Sequence, residues 1–166
     1  CRRSTRRSRP RPGRCPGVEE DARVRRGPGL LHVLPRPHQV PWQLPQGGIE
    51  EGEEPKAAAM RELEEEIGTC NAKIIGETKN WLKYDLPPEL LGKLWKGRFR
   101  GQTQKWFALR FLGSDDEIDP AAVANPEFDG WQWMAAGDLV ANVVAFKREI
   151  YARIVTEFAP LLANLD

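Results

Sequence analysis

An α/β layered domain is the fold class this sequence predicts, and three observations predict it. Residues 55–67 carry helical period behind a proline. Residues 73–84, 104–112 and 128–134 are rich in strand-forming side chains. Phe146, Ile150, Ile154 and Phe158 repeat every four residues towards the end. Helix, then strands, then helix is the order of a sheet covered by helices. A length of 166 residues suits one domain with a sizeable core.

Taken in order, the first segment breaks the pattern. Residues 1–40 hold eleven Arg, no Lys and three acids, a balance of +8 that leaves the rest of the chain at −7 within a net +1. An acidic body suits a site for several cations, whereas the basic head needs its own explanation. Arg, Pro and Gly dominate the head without strand period, so no strand is expected there. The folded domain is expected over residues 41–166.

Pro55–Ile67 reads as a helix because proline pre-sets the first turn and good helix formers follow. Its apolar stripe is Ala59, Leu63 and Ile67. Residues 73–84 read as one or two strands stopped by Pro87 and Pro88. Residues 104–112 are the best candidate for a buried central strand. Residues 115–125 form an acidic loop, and 128–134 a short aromatic strand. The four-residue repeat from Phe146 marks a helix lying on the sheet. Trp81, Tyr84, Trp106, Trp131 and Trp133 are expected in the core, since aromatic rings bury large apolar area.

Composition narrows the function classes. Cys1, Cys15 and Cys70 have neither metal-site spacing nor the density of a disulfide framework, and are expected to stay unpaired in a reducing compartment. No run of about 18 apolar residues exists, so no membrane span is expected and a cytoplasmic location is.

The chemistry sits in Gly47-Gly48-Ile49-Glu50-Glu51-Gly52-Glu53 and in Arg61-Glu62-Leu63-Glu64-Glu65-Glu66-Ile67-Gly68. At about 100° per residue, Glu62, Glu65 and Glu66 share one helix face. Like charges so placed repel by a few tenths of a kcal/mol per pair unless neutralised. Divalent cations with oxygen ligands, Mg²⁺ above all, neutralise them and also bridge phosphate oxygens. Gly47 and Gly48 let backbone approach a ligand, and Arg61 can grip a neighbouring carboxylate. The competing reading is a merely solvated acidic face.

The spacing decides between these readings. The stretch resembles the Nudix box, G-x5-E-x7-R-E-U-x-E-E-x-G-U, with U a bulky aliphatic. Gly47, Glu53, Arg61, Glu62, Leu63, Glu65, Glu66 and Gly68 match in register, and Thr69 departs at the last position. The flanks are similar to the bacterial RNA pyrophosphohydrolases, also described as dinucleoside polyphosphate hydrolases. They are Trp42-Gln43-Leu44-Pro45-Gln46-Gly47-Gly48, Asn80-Trp81-Leu82-Lys83-Tyr84, Gln104-Lys105-Trp106-Phe107, Pro126-Glu127-Phe128-Asp129-Gly130-Trp131 and Ala145-Phe146-Lys147-Arg148-Glu149-Ile150-Tyr151. That resemblance covers roughly three-quarters of the chain, from about Pro41 onward.

The resemblance implies an α/β/α sandwich with a mixed sheet. It implies Mg²⁺, with Mn²⁺ or another divalent ion as substitute, at Glu62, Glu65, Glu66, Glu127 and Gly47. Glu53 and Arg61 would orient these groups, and Glu62 would be the base, with Glu65 next. Phe146 would stack on a nucleobase and Lys147 would meet phosphate, with Tyr84, Gln104 and Lys105 completing the substrate site. The substrate would be an RNA 5′ end or a dinucleoside polyphosphate, with no membrane and no obligate protein partner. The alternatives are a Nudix hydrolase of free nucleotides or nucleotide sugars, and a non-catalytic nucleotide-binding module. The family opens with Tyr-Arg-x-x-Val-Gly and a hydrophobic strand, and residues 1–40 show nothing comparable. A defective N-terminal strand region is therefore expected. Its composition fits a GC-rich gene read out of frame, which an intact reading frame in the source DNA would refute, or else a basic disordered arm.

Overall fold

The structure, a computed structural model, describes residues 30–35, 42–91 and 99–163. The expectations for residues 1–29 and 36–41 lie outside the described residues. Among the described residues, six strands and three α-helices follow one another: β1 (Leu30–Pro35), α1 (Pro55–Ile67), β2 (Ala72–Glu77), β3 (Leu82–Asp85), β4 (Gly101–Gln104), β5 (Phe107–Phe111), β6 (Phe128–Met134), α2 (Leu139–Asn142) and α3 (Arg148–Leu162). Among the described residues, the expected mixed sheet shows as three antiparallel pairs, β1 with β6, β2 with β5 and β3 with β4.

The first correction is β1. It runs antiparallel to β6 from Leu30 opposite Met134 to Pro35 opposite Phe128, in a head expected to hold no strand. The physical reason is local: Leu30-Leu31-His32-Val33-Leu34 is apolar enough to extend, and β6 supplies a complete ladder edge. Six residues are ample for a strand, but flanking Arg, Pro and Gly hide the pattern.

Helix α1 has the bounds its sequence predicts. Pro55 opens it, and Gly68 closes it at φ 86°, donating its N–H to Glu64 O at 3.0 Å. Only glycine adopts that left-handed cap without strain. Its buried apolar residues are Ala58, Leu63 and Ile67, so Ala58 rather than Ala59 tops the stripe. Thr69, where the box usually has an aliphatic, accepts the N–H of Asn71 at 3.1 Å and donates to Glu117 at 3.4 Å. A polar bridge thus replaces apolar packing at the helix exit.

One core lies on α1 and another on α3. Leu63 and Ile67 of α1 pack with Ala72, Ile118 and Phe128. Ile150, Tyr151, Ile154 and Phe158 of α3 pack with Leu82, Trp106, Leu139 and Val143. Each buried Ile or Phe stabilises by roughly 1.5–3 kcal/mol, so both helices are held firmly at the strands that carry the site. Residues 104–112 form no single central strand. They divide into the end of β4 and a half-buried β5. Trp106 lies between these, buried with its ring edge-on to Tyr151 at 5.7 Å.

Among the aromatic residues expected inside, Trp106 is buried and Tyr84, Trp131 and Trp133 are half-buried. Trp81 is 49% exposed, because it stands ahead of β3 on the side opposite the buried Leu82. No helix among the described residues is long and apolar enough to cross a membrane.

Candidate active site

The acidic face of α1 is organised by Arg61. Its Nε and Nη2 donate to the two oxygens of Glu53 at 2.9 and 2.8 Å, a bidentate pair. Nη1 donates to Glu62 at 2.8 Å and to Glu65 at 3.1 Å, and Nη2 also reaches Gly48 O at 2.8 Å. One guanidinium therefore ties the preceding loop to two helix carboxylates one turn apart. Glu53 also accepts the backbone N–H of Glu50 at 3.0 Å. Arg61 first, and then that N–H, hold its carboxyl down at about 2.

Glu66 is placed differently from its neighbours. It is buried, and accepts the backbone N–H of Gln46 at 2.9 Å. Burial pushes its pKa up to about 9, the charges of Glu62 and Glu127 add to this, and the Gln46 N–H and Lys147 oppose it. Glu66 is thus buried, while Glu65 on the same helix is exposed. Glu66 turns inward because the Gln46 amide, delivered by the loop before α1, needs an acceptor.

Gly47 explains its own identity. A Cβ built there would lie 1.9 Å from the Glu62 carboxylate, so a side chain at this position would push that carboxylate aside. Glu127, exposed ahead of β6, comes near enough for its charge to act on Glu66.

A hard cation fits this donor set. All the donors are carboxylate oxygens, and Glu66 is an acid that burial and like charges keep protonated unless a cation offsets them. Among the described residues, no three acidic, His or Cys side chains already converge at coordinating distance. Glu62 and Glu65 are turned to Arg61 instead.

Beside the carboxylates lies a pocket of amides and rings. Tyr84 and Phe146 pack at 5.6 Å between centroids, tilted by 37°. The Tyr84 hydroxyl donates to Gln102 Oε1 at 2.8 Å, and Gln104 Nε2 donates to the same oxygen at 3.1 Å. Lys147 Nζ donates to Gln46 Oε1 at 3.2 Å and stands 5.9 Å from the centre of the Tyr84 ring. Burial lowers Lys147 to about 8, with Glu66 acting the other way. Burial likewise raises Tyr84 to about 12.

Of the residues expected for substrate, Phe146, Lys147, Gln104 and Tyr84 are brought together, and Lys105 is not. Its ammonium donates to the Thr78 carbonyl and stands 3.9 Å from Glu77. Phe146 precedes α3 in a single turn, residues 145–147, so it faces Tyr84 and does not start the helix's apolar stripe.

Three contributors were given no role by the sequence reading. Gln46 joins Glu66 through its N–H and Lys147 through its carbonyl. Gln102 bridges Tyr84 and Gln104. The fully buried Tyr151 accepts the Leu44 N–H at 3.0 Å and so holds the loop leading to Gly47. Gln46 and Gln102 carry no periodic or charge signal. Only Tyr151, one step from the Ile150-Ile154 stripe, had one.

Known proteins resemble this chain in sequence and in fold. A family model, the NUDIX domain, matches residues 24–154. An RNA pyrophosphohydrolase from Rhodospirillum rubrum is 59% identical over 118 residues, 71% of this chain and 71% of that one. One from Roseobacter denitrificans is 54% identical over 119 residues, 70% of this chain and 74% of that one. Two solved structures share the fold at 22% identity. The E. coli dihydroneopterin triphosphate pyrophosphohydrolase aligns with TM-score 0.55 over 76% of this chain and 84% of its own. A C. elegans Ap4A hydrolase in a binary complex aligns with TM-score 0.56 over 81% and 85%. With Glu53, Glu62 and Glu65 gathered around Arg61 and the family model matching residues 24–154, the chain belongs to the Nudix hydrolases, enzymes that split pyrophosphate bonds.

Proposed function

We propose that this enzyme removes pyrophosphate from 5′-triphosphorylated RNA and also cleaves dinucleoside polyphosphates, in the cytoplasm, with Mg²⁺ as its ordinary cation. The observation that carries the reading is the juxtaposition of the carboxylate cluster with the ring-and-amide pocket, joined through Gln46. Glu62, Glu65, Glu66 and Glu127 would hold the cation, with backbone at Gly47 alongside. When bound, it would neutralise phosphate oxygens and spread the charge that develops during attack by water.

The chain's own residues do the rest. Phe146 and Tyr84 receive the first nucleobase, and Lys147 faces the phosphates as a cation below about pH 8. Glu62 takes a proton from the attacking water. Arg61 releases Glu62 and Glu65 to the site while keeping its two bonds to Glu53. Water adds to phosphorus, the bridging P–O bond breaks, and pyrophosphate leaves with a 5′-monophosphate end remaining.

The test is pyrophosphate release from 5′-triphosphorylated RNA in Mg²⁺, with a Glu65→Gln control and a diadenosine polyphosphate in parallel. Release that needs Glu65 and is faster on RNA supports the reading. A cooperatively folded protein inactive on both substrates sinks it and favours free nucleotides, or a binding module.

A further inference from the structure

None of the carboxylates assigned to the cation lies on α3, yet the start of that helix grips the loop that leads to α1. Tyr151, in the first turn of α3, accepts the Leu44 N–H at 3.0 Å. Lys147, in the single turn before the helix, donates to Gln46 Oε1 at 3.2 Å. The same loop also serves α1. The Gln46 N–H goes to Glu66 at 2.9 Å, and the Gly48 carbonyl accepts Arg61 at 2.8 Å. Between them stands Gly47, where an added Cβ would meet the Glu62 carboxylate. Residues 44–48 thus link the start of α3 to both Glu62 and Glu66.

The Tyr151 hydroxyl is the fixed end of this link. Tyr151 is fully buried, with its ring edge-on to Trp106 at 5.7 Å. The Leu44 side chain packs against the same core. Apolar contact of that kind has no direction, so it sets how deep Leu44 sits and not how its peptide is turned. A hydrogen bond does have direction, and the one from the Leu44 N–H to the hydroxyl fixes that turn. Two residues further on, the orientation of the chain decides whether the Gln46 N–H faces Glu66.

Given the cation site read above at Glu62 and Glu66, we propose that Tyr151 is a positioning residue for the metal ligands. Its hydroxyl turns the loop so that the Gln46 amide holds Glu66 inward and Gly47 leaves Glu62 its place. Removing a group that orients metal ligands weakens metal binding about 10- to 100-fold. Tyr151 exerts that control from 107 positions along the chain.

The experiment is a calorimetric titration of the metal-free enzyme with Mg²⁺, comparing wild type, Tyr151→Phe and Ile154→Val, with a thermal melt of each. Tyr151→Phe keeps the ring against Trp106 and removes only the hydroxyl. Its Kd for Mg²⁺ should rise about tenfold. Ile154→Val thins the same core without touching a bond to the loop. It should lower the melting temperature and leave Kd unchanged. Combined with Gly47→Ala, Tyr151→Phe should weaken Mg²⁺ binding by less than the product of the two single effects, since a freed loop yields to the new Cβ. An unchanged Kd in Tyr151→Phe, an equal rise in Ile154→Val, or the full product in the double variant overturns the proposal and leaves the cation site standing. A wild type that binds no Mg²⁺ overturns the cation site and the role of Tyr151 with it.

Discussion

On α1, Glu53, Arg61, Glu62 and Glu65 meet within two turns of helix and the loop before it, bound by a single guanidinium. Across the site, the pocket draws Gln46, Tyr84, Gln102, Gln104, Phe146 and Lys147 from separate segments, linked by neutral amides and rings. The first half stores like charges that a cation must offset. The second holds a single cation, Lys147, among amides and rings, and Gln104 Oε1 there is buried without a hydrogen-bond partner. Damage to the acidic half should therefore appear in kcat, where charge develops. Damage to the pocket should appear in KM, where only binding is at stake.

The strongest way to break this contrast is chelation. EDTA should abolish pyrophosphate release, and excess Mg²⁺ should restore it. Activity that survives exhaustive chelation would mean the carboxylates do not work through a cation. Next, Glu62→Gln should lower kcat by about 10²- to 10⁴-fold, the range for a lost general base, with KM within a few-fold and no loss of melting temperature. A matching rise in KM would dissolve the division between the halves.

Gly47→Ala tests the closeness of loop and helix. A Cβ 1.9 Å from the Glu62 carboxylate forces one of them to move, and a displacement near 1 Å lowers kcat about 100-fold. Unchanged turnover would show that Glu62 has a second competent position. On the pocket side, Phe146→Ala should raise KM about tenfold, as for one stacked base, and leave kcat alone.

The smallest effect is in pH. Burial disfavours the charged form of Lys147, so its pKa lies near 8, below its ordinary 10.5. Below about pH 8 it is a cation available to phosphate, and KM should rise as pH climbs through 8. Lys147→Met should remove that rise. For stability the sign is opposite. Between about pH 8 and 10.5 the unfolded chain binds the extra proton, so this residue's contribution favours folding more as pH increases there. Thermal melts of wild type and Lys147→Met across that window measure the difference.

What the sequence determined by itself was whatever a single element's geometry decides. The bounds of α1 at Pro55–Ile67 and of β6 at Phe128–Met134 were readable from local chemistry and composition. So was the meeting of Arg61 with Glu65, because 3.6 residues per turn puts residues four apart on one helix face. The tertiary structure alone decided matters of approach between segments. Gln46 turns Glu66 inward by offering it an amide. Tyr84 takes Phe146 away from the stripe of α3, and Thr78 with Glu77 draws Lys105 away from the pocket. Strand β1 forms because β6 offers it an edge, while Trp81 faces water because Leu82 takes the inward position. Helical spacing is set by covalent geometry and repeats wherever the chain coils. A hydrogen bond between residues 101 positions apart, such as that from Lys147 to Gln46, exists only once every element between them has packed.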